Sequence, residues 1–395
     1  MPPIWEARPE ALTALQNLAD STIPAVQQKL VEHDQDLSQP DRGAHQQQIA
    51  ASKVLLCIAE QLPAELEGLS VFKPQTSNEY CGIGRLSTGL GIPHPETDPD
   101  FLGLMLAFQT VGGRRIDFIG INDPSAPTDT VEEFMQLLLA AADAAGTDIG
   151  SLEIVNLAAS QAKLLHSLIK HMGAARGAEI FAHIAAQTSR TLRSSTAYQQ
   201  YWTGIVRAND RLGKFTLVPF EDLNRLRAIS PGPRYLSEDW KQRQSAADLV
   251  FHLYWIPFLS EEQTPVTKLT KPWAEEHRVD VGRVLFPKAD LTTREAKLIA
   301  LLASQMGANP GNWVQRRDEV PSPQLPATEY TAGRFLAYRK SQGGRYALPE
   351  SLYNSFFTTG EISSELATEL TRRYQDALSH GHAYPDIGEI AALGA

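Results

Sequence analysis

Strand-like and helix-like segments stand in blocks along this chain and do not alternate. Strand-type runs come first: VLLCIA at residues 54–59, then LGLMLAFQT and RRIDFIGIN on either side of Gly112-Gly113, which read as a β-hairpin. Between them, Ser70 to Ser87 holds short runs punctuated by Pro74 and glycines, the pattern of several short antiparallel strands with turns. A helical block follows from Thr130 to about Arg193, with VEEFMQLLLAAADAA as its first segment. Strand character returns in GKFTLVPF, AADLVFHLYWIPFL and RVDVGRVLFP, and from Thr292 the pattern is again mostly helical. Parallel strands need a crossover between each pair, usually a helix. Without that alternation, the expected class is α+β, built around an antiparallel sheet or β-barrel with a helical insertion at about 130–195 and C-terminal helices; the barrel is the expected form. Leu12, Leu15, Leu18, Val26 and Leu30 place a further helix over residues 9–35. The expected divisions are an N-terminal helical arm (1–40), the barrel (41–290) and a C-terminal helical segment (291–395).

Composition narrows the partners. Lys plus Arg against Asp plus Glu gives a net charge of −10, which argues against a nucleic-acid or anionic-membrane surface but leaves room for a local basic pocket. A hydrophobic content of 43% supplies a sizeable core. The two cysteines, Cys57 and Cys81, lie in apolar stretches and read as buried core thiols, with no zinc spacing around them. The beginning, MPPIWEARPEALTALQNL, lacks a basic region followed by an apolar run, and no segment approaches the ~18 apolar residues of a membrane span. A cytoplasmic protein is expected. The phosphate-loop and dinucleotide glycine patterns are absent, so a nucleotide fold has no support.

Arg334-Phe335-Leu336-Ala337-Tyr338 puts a guanidinium one helical turn before a phenol, and residues four apart share a face. A cation beside a phenol favours its ionised form. A phenolate is one of the few side chains able to hold a haem iron. Taken alone, such a pair also describes an ordinary packed or solvated helix face. Among ten histidines, His166, His171 and His183 fall in helical segments and read as surface or satisfied core residues, and His380 and His382 could bind metal only weakly. His45 differs because it follows Arg42 by three residues in DRGAHQQQIAASK. Asn122, before Asp123-Pro124, reads as a turn residue.

In this order the motifs resemble the haem-containing catalase family, including its smaller peroxidase and hydroperoxide-converting relatives, over roughly residues 41–345. Arg42-Gly43-Ala44-His45 resembles the family's Arg-x-x-His. Arg85-Leu86-Ser87-Thr88 resembles its Arg-Phe-Ser-Thr, and Asp98-Pro99-Asp100 its Asp-Pro-Asp. Gly120-Ile121-Asn122-Asp123-Pro124 is similar to a Gly-Asn-Asn-Thr-Pro turn. Tyr201-Trp202 with Lys214-Phe215-Thr216-Leu217-Val218-Pro219 looks like the Tyr-Trp and Lys-Tyr-x-Leu-Val-Pro segments. Asn309-Pro310-Gly311-Asn312-Trp313 faintly echoes Phe-Asn-Pro-Trp, and Arg334 to Tyr338 matches the Arg-x-x-x-Tyr helix, with Arg345 seven residues beyond.

The resemblance implies haem b, held by Tyr338 at the iron with Arg334 keeping the phenol ionised. Arg42, Arg85 and Arg345 would pair with the propionates. His45 would act as acid–base, Ser87 would accept the imidazole N–H, and Asn122 would donate to the peroxide. It also implies a peroxide and a small organic donor as partners and a possible homo-oligomer. The chain departs from the pattern in three places. Leu102 stands where the family has Arg, Gln46-Gln47-Gln48 replace a glycine-rich run, and Gly343-Gly344 interrupt the helix before Arg345. Ala44 stands where catalases commonly carry Val, which predicts a roomier cavity and peroxidase-type use of organic hydroperoxides. Three readings compete with turnover of this kind. One is a haem- or apolar-ligand-binding protein without turnover, and another is an unrelated α+β protein. The last is an allene-oxide-synthase-like isomerase of fatty-acid hydroperoxides, whose relatives place Thr where Ala44 stands.

Overall fold

The computed structural model describes residues 5–379 apart from 34–43, 73–77, 90, 92–93, 95, 97–99, 111, 146–152, 192–193, 221–231, 314–325 and 344–347. Arg42, Arg345, Asp98, Pro99, His380 and His382 lie outside the described residues.

The strands are β1 (Gln48–Ile58), β2 (Glu79–Thr88), β3 (Leu102–Gln109), β4 (Arg115–Ile121), β5 (Tyr201–Thr203), β6 (Val206–Ala208), β7 (Arg211–Pro219), β8 (Leu249–Pro257) and β9 (Val279–Phe286). They form one antiparallel sheet in the order β5-β4-β3-β2-β1-β9-β8-β7-β6, which closes on itself through a β5–β7 pairing. β5 and β6 pair with two stretches of the same strand, Tyr201 opposite Leu217 and Val206 opposite Gly213. They act as one strand interrupted at Gly204-Ile205, so the ring has eight positions. The expected antiparallel barrel with a helical insertion is the observed fold.

Aromatic residues fill the barrel interior. Phe215 lies 5.1 Å from Phe118, 5.0 Å from Trp255 and 5.3 Å from Trp313, centroid to centroid. Among the described residues these rings fill the barrel interior, as close-packed side chains do in barrels of this size. The interior also explains a misread segment. The glycines of residues 70–87 do not break strands. A Cβ at Gly82 would come 2.4 Å from Phe108, and one at Gly84 would come 2.4 Å from Phe286. Both glycines make room for inward rings, and β2 runs unbroken across them after a short 3-10 turn at Ser70–Phe72.

Helices α2 (Val131–Ala145), α3 (Glu153–Met172) and α4 (Ala174–Thr191) form the insertion. Helix α5 (Tyr235–Ala246) precedes β8. After the barrel come α6 (Arg294–Gln305), α7 (Glu329–Gly343), α8 (Glu350–Thr359) and α9 (Ser364–Ser379). α6, α8 and α9 cover Ala51, Ile83 and Met105 on the outer sheet face with Leu301, Leu302 and Phe356 among others. The N-terminal helix α1 (Pro9–His33) lies against α7 and α2 of its own chain: Leu15, Ala19 and Ile23 pack with Met135, Tyr330 and Ala337. Gln27 Nε2 donates to the Ser341 carbonyl at 3.2 Å, and Asp20 pairs with Lys340 at 2.8 Å. Cys57 and Cys81 are half-buried, which corrects the expectation of core thiols; they sit on the outward side of β1 and β2, and Cys57 Sγ lies 3.8 Å from Glu79.

Candidate functional site

His45 enters the site from the segment leading into β1. Its φ of +58° is left-handed, a region that non-glycine residues seldom occupy. Its N–H donates to the Gly89 carbonyl at 2.9 Å, and Arg85 donates to the carbonyls of His45 and Gln46 at 3.0 Å each. These bonds hold the turn. The imidazole lies over Gly103 of β3, where a Cβ would stand 2.6 Å from Nδ1. Nδ1 is 2.9 Å from the Thr88 carbonyl and 3.3 Å from Ser87 Oγ. A carbonyl can only accept, so Nδ1 carries a hydrogen, and in the neutral ring Nε2 holds the lone pair. The tautomer is therefore set chiefly by the Thr88 backbone, with Ser87, expected for that task, as the longer contact.

Arg85 is buried at 3% exposure, and its Nε donates to Gln48 Oε1 at 3.1 Å. Gln48 belongs to the polar run that departs from the glycine-rich pattern, so in this chain the run supplies a partner for the arginine. Asn122 is turned away. Its Oδ1 accepts from the Leu102 N–H at 2.8 Å, and its Nδ2 donates to Gln199 Oε1 at 2.7 Å. Both ends of the amide are committed to joining β3 to the segment before β5. Asn122 is not among the residues that line the cavity described below, so a donor role toward a bound peroxide would require its amide to leave these partners. Leu102 is buried in the barrel core.

Tyr338 and Arg334 share a face of α7, as their spacing predicts, with the guanidinium carbon 5.8 Å from the phenol ring centroid. The strand interruption faces them: a Cβ at Gly204 would stand 2.7 Å from Arg334 NH1. A buried network fixes the helix. Arg115 Nε donates to Asp117 Oδ1 at 2.8 Å, and Asp117 Oδ2 accepts from the Asn309 N–H at 2.9 Å and from Asn312 Nδ2 at 2.7 Å. Asn309 Nδ2 in turn donates to the Phe335 carbonyl of α7 at 3.3 Å. The Asn309–Trp313 motif is thus the clamp between β4 and the helix that carries Tyr338.

The two ends of the chain meet at one cavity of about 370 Å³. His45, Ser87, Arg85, Arg334 and Tyr338 all line it. Ala44 lines it too, and apolar side chains of the insertion, among them Phe134, Leu138, Leu164 and Ile184, wall one side. Three further residues were not singled out from the sequence. Lys214 of β7 is 5% exposed, and burial, reinforced by the Arg334 charge, pushes its amine down to about 8 against the pull of Asp123 and Glu275. Asp123 and Asp100 also line the cavity. Asp100 Oδ2 accepts from the Gly89 N–H at 2.6 Å and lies 3.1 Å from His94 Nε2. Each stands inside a motif quoted above, but nothing in the motif marks its side chain as facing the cavity, since burial there is set by distant segments. Among the described residues no helix is long and apolar enough to cross a membrane.

No protein-family model matches the sequence, and no curated protein matches it. Solved structures do match its fold. A fungal catalase superposes with a TM-score of 0.57 at 13% identity, over 85% of this chain and 64% of the catalase. Catalase A from Saccharomyces cerevisiae gives 0.56 at 12% identity, over 85% and 66%. A bacterial catalase gives 0.53 at 16% identity, over 80% and 60%. The chain therefore has a catalase-like fold and spans 60–66% of the length of these structures.

Proposed function

We propose that this protein is a haem-dependent oxidoreductase acting on hydrogen peroxide or organic hydroperoxides, with peroxidase activity. One observation carries the reading: an imidazole from the start of the chain and a phenol–guanidinium pair from near its end line the same cavity. The donor set suits a haem. Tyr338 offers an oxygen ligand of the kind that holds ferric iron, Arg334 and Arg85 offer positive charge, and the walls from α2 to α4 are largely apolar. Gly103 strengthens the fit, because only a residue without Cβ lets the imidazole lie against β3 and face inward.

When bound, a haem supplies the redox-active iron at which a peroxide O–O bond is broken. The chain's own residues do the rest. Tyr338 would hold the iron and Arg85 would pair with a propionate, with Arg42 and Arg345 as further proposed propionate partners. Planar guanidinium forks match carboxylates in two-point contact. His45 Nε2 takes the peroxide proton and returns it to the departing oxygen, acid–base work worth ~10²–10⁴-fold. The hydrogen bond from Nδ1 to Thr88 keeps that lone pair on Nε2. Ala44 and the apolar wall favour a hydroperoxide with an organic group over hydrogen peroxide alone.

An absorption spectrum of protein expressed with added haem precursor tests the reading. A Soret band with a high-spin ferric signature is expected; colourless protein would refute it. Tyr338→Phe should abolish the spectrum, whereas His45→Ala should keep it and lose peroxide consumption. A second reading, haem binding without turnover, is favoured by the commitment of the Asn122 amide to Leu102 and Gln199. Coloured protein that consumes no peroxide would select it.

A further inference from the structure

Lys214 is the cavity group that the peroxide reading leaves unused. It sits on β7 with 5% exposure and lines the cavity beside Ile205 and Leu269. Its ammonium lies 4.9 Å over the Trp273 ring, and among the described residues it meets no hydrogen-bond acceptor and no carboxylate within ion-pair distance. The charges around it are Arg334 on α7, Asp123 after β4, and Glu275 before β9. Glu275 is engaged elsewhere, whereas Asp123 keeps one buried oxygen, Oδ2, without a hydrogen-bond partner among the described residues. Asp123 Oδ1 accepts from Ser125 N and Oγ at 2.9 Å each, and its Oδ2 lies 3.1 Å from His183 Nε2. Glu275 accepts from Trp202 Nε1 at 2.5 Å and from Arg278 NH1 at 2.9 Å. A buried lysine with no hydrogen-bond acceptor among the described residues, in an apolar pocket and in the field of another cation, is the arrangement that makes an amine nucleophilic.

We propose that Lys214 is a nucleophilic amine that condenses with an apolar aldehyde entering the cavity. The neutral nitrogen attacks the carbonyl carbon and a C–N bond forms. The C=O π pair moves to oxygen, which takes a proton to give a carbinolamine. Loss of that oxygen as water, driven by the nitrogen lone pair, leaves a C=N bond. Amine plus aldehyde thus gives imine plus water, with no oxidant or reductant. The amine's downward shift suits this chemistry: burial and Arg334 disfavour the charged form that cannot attack, against the opposing pull of Asp123 and Glu275.

The inference does not rest on haem, and its test has its own readout. The full chain as purified is treated with hexanal and sodium cyanoborohydride, which reduces an imine to a stable secondary amine, and the sites are mapped by peptide mass spectrometry. Lys170, 61% exposed in the same molecule, is the internal reference. Lys214 is expected to be alkylated at least ~10-fold faster than Lys170, and the fast adduct should vanish from the intact mass of Lys214→Arg, which keeps the charge. Alkylation of Lys214 no faster than Lys170, or a fast adduct that survives in Lys214→Arg, overturns the proposal. The mass shift and the Soret band are read on the same sample by separate instruments, so the two readings are scored by separate readouts.

Discussion

Gly103→Ala tests the seat of His45 more sharply than any change to the histidine itself. The new Cβ would stand 2.6 Å from Nδ1, 2.7 Å from Cε1 and 3.1 Å from Ser87 Oγ, so something must move. The His45 backbone is held by bonds to Gly89 and Arg85, which leaves rotation of the ring. Rotation breaks the bond to the Thr88 carbonyl, worth ~1 kcal/mol net, and forced repacking adds ~1–3 kcal/mol. Gly103→Ala alone should therefore cost about 2–4 kcal/mol in urea unfolding. With His45→Ala the obstructing ring is gone. There the change should be near neutral or favourable by ~0.5 kcal/mol, since alanine outranks glycine within a strand. The cycle of single and double variants should show a coupling of about 2 kcal/mol or more. Additivity within ~0.5 kcal/mol would mean that the ring does not rest on Gly103, and the account of how His45 is aimed would be wrong.

Replacing Ala44 with Val should depress turnover of organic hydroperoxides and spare that of hydrogen peroxide; equal loss of both rejects the roomier cavity. Arg115→Met strands the buried Asp117 carboxylate and should cost about 3–5 kcal/mol of stability, while Arg115→Met with Asp117→Leu should cost less; chemical denaturation of both checks this. Lys214 gives a pH signature. Its folded amine titrates at about 8, below the ordinary 10.5, so between those values the unfolded chain binds more protons and stability rises with pH. Relative to Lys214→Met, the wild-type chain should gain about 2 kcal/mol from pH 7 to pH 10, and parallel pH profiles would refute the burial argument.

Local pattern was enough for much of the architecture. The hairpin of β3 and β4, the helical insertion and the shared face of Arg334 and Tyr338 all follow from periodicity within a few turns of chain. Gly82 and Gly84 misled because a glycine that makes room for a distant ring looks, in sequence, like one that ends a strand. The amide partners of Asn122 were illegible for a related reason: Leu102 and Gln199 come from other segments. Nothing local marked Lys214 as buried.

The order of strand-like and helical blocks by itself pointed to an antiparallel sheet or barrel, because backbone pairing without crossovers has few other solutions, while closure came from the β5–β7 pairing. It also determined which chemical groups the chain possesses. Only the tertiary structure decided which of them face one cavity. Closing the barrel brings Gly103 beneath His45 and Gly204 beside Arg334, and the clamp at Asn309 carries Tyr338 to the same place. Those contacts join residues far apart in the chain, and packing, not periodicity, selects them.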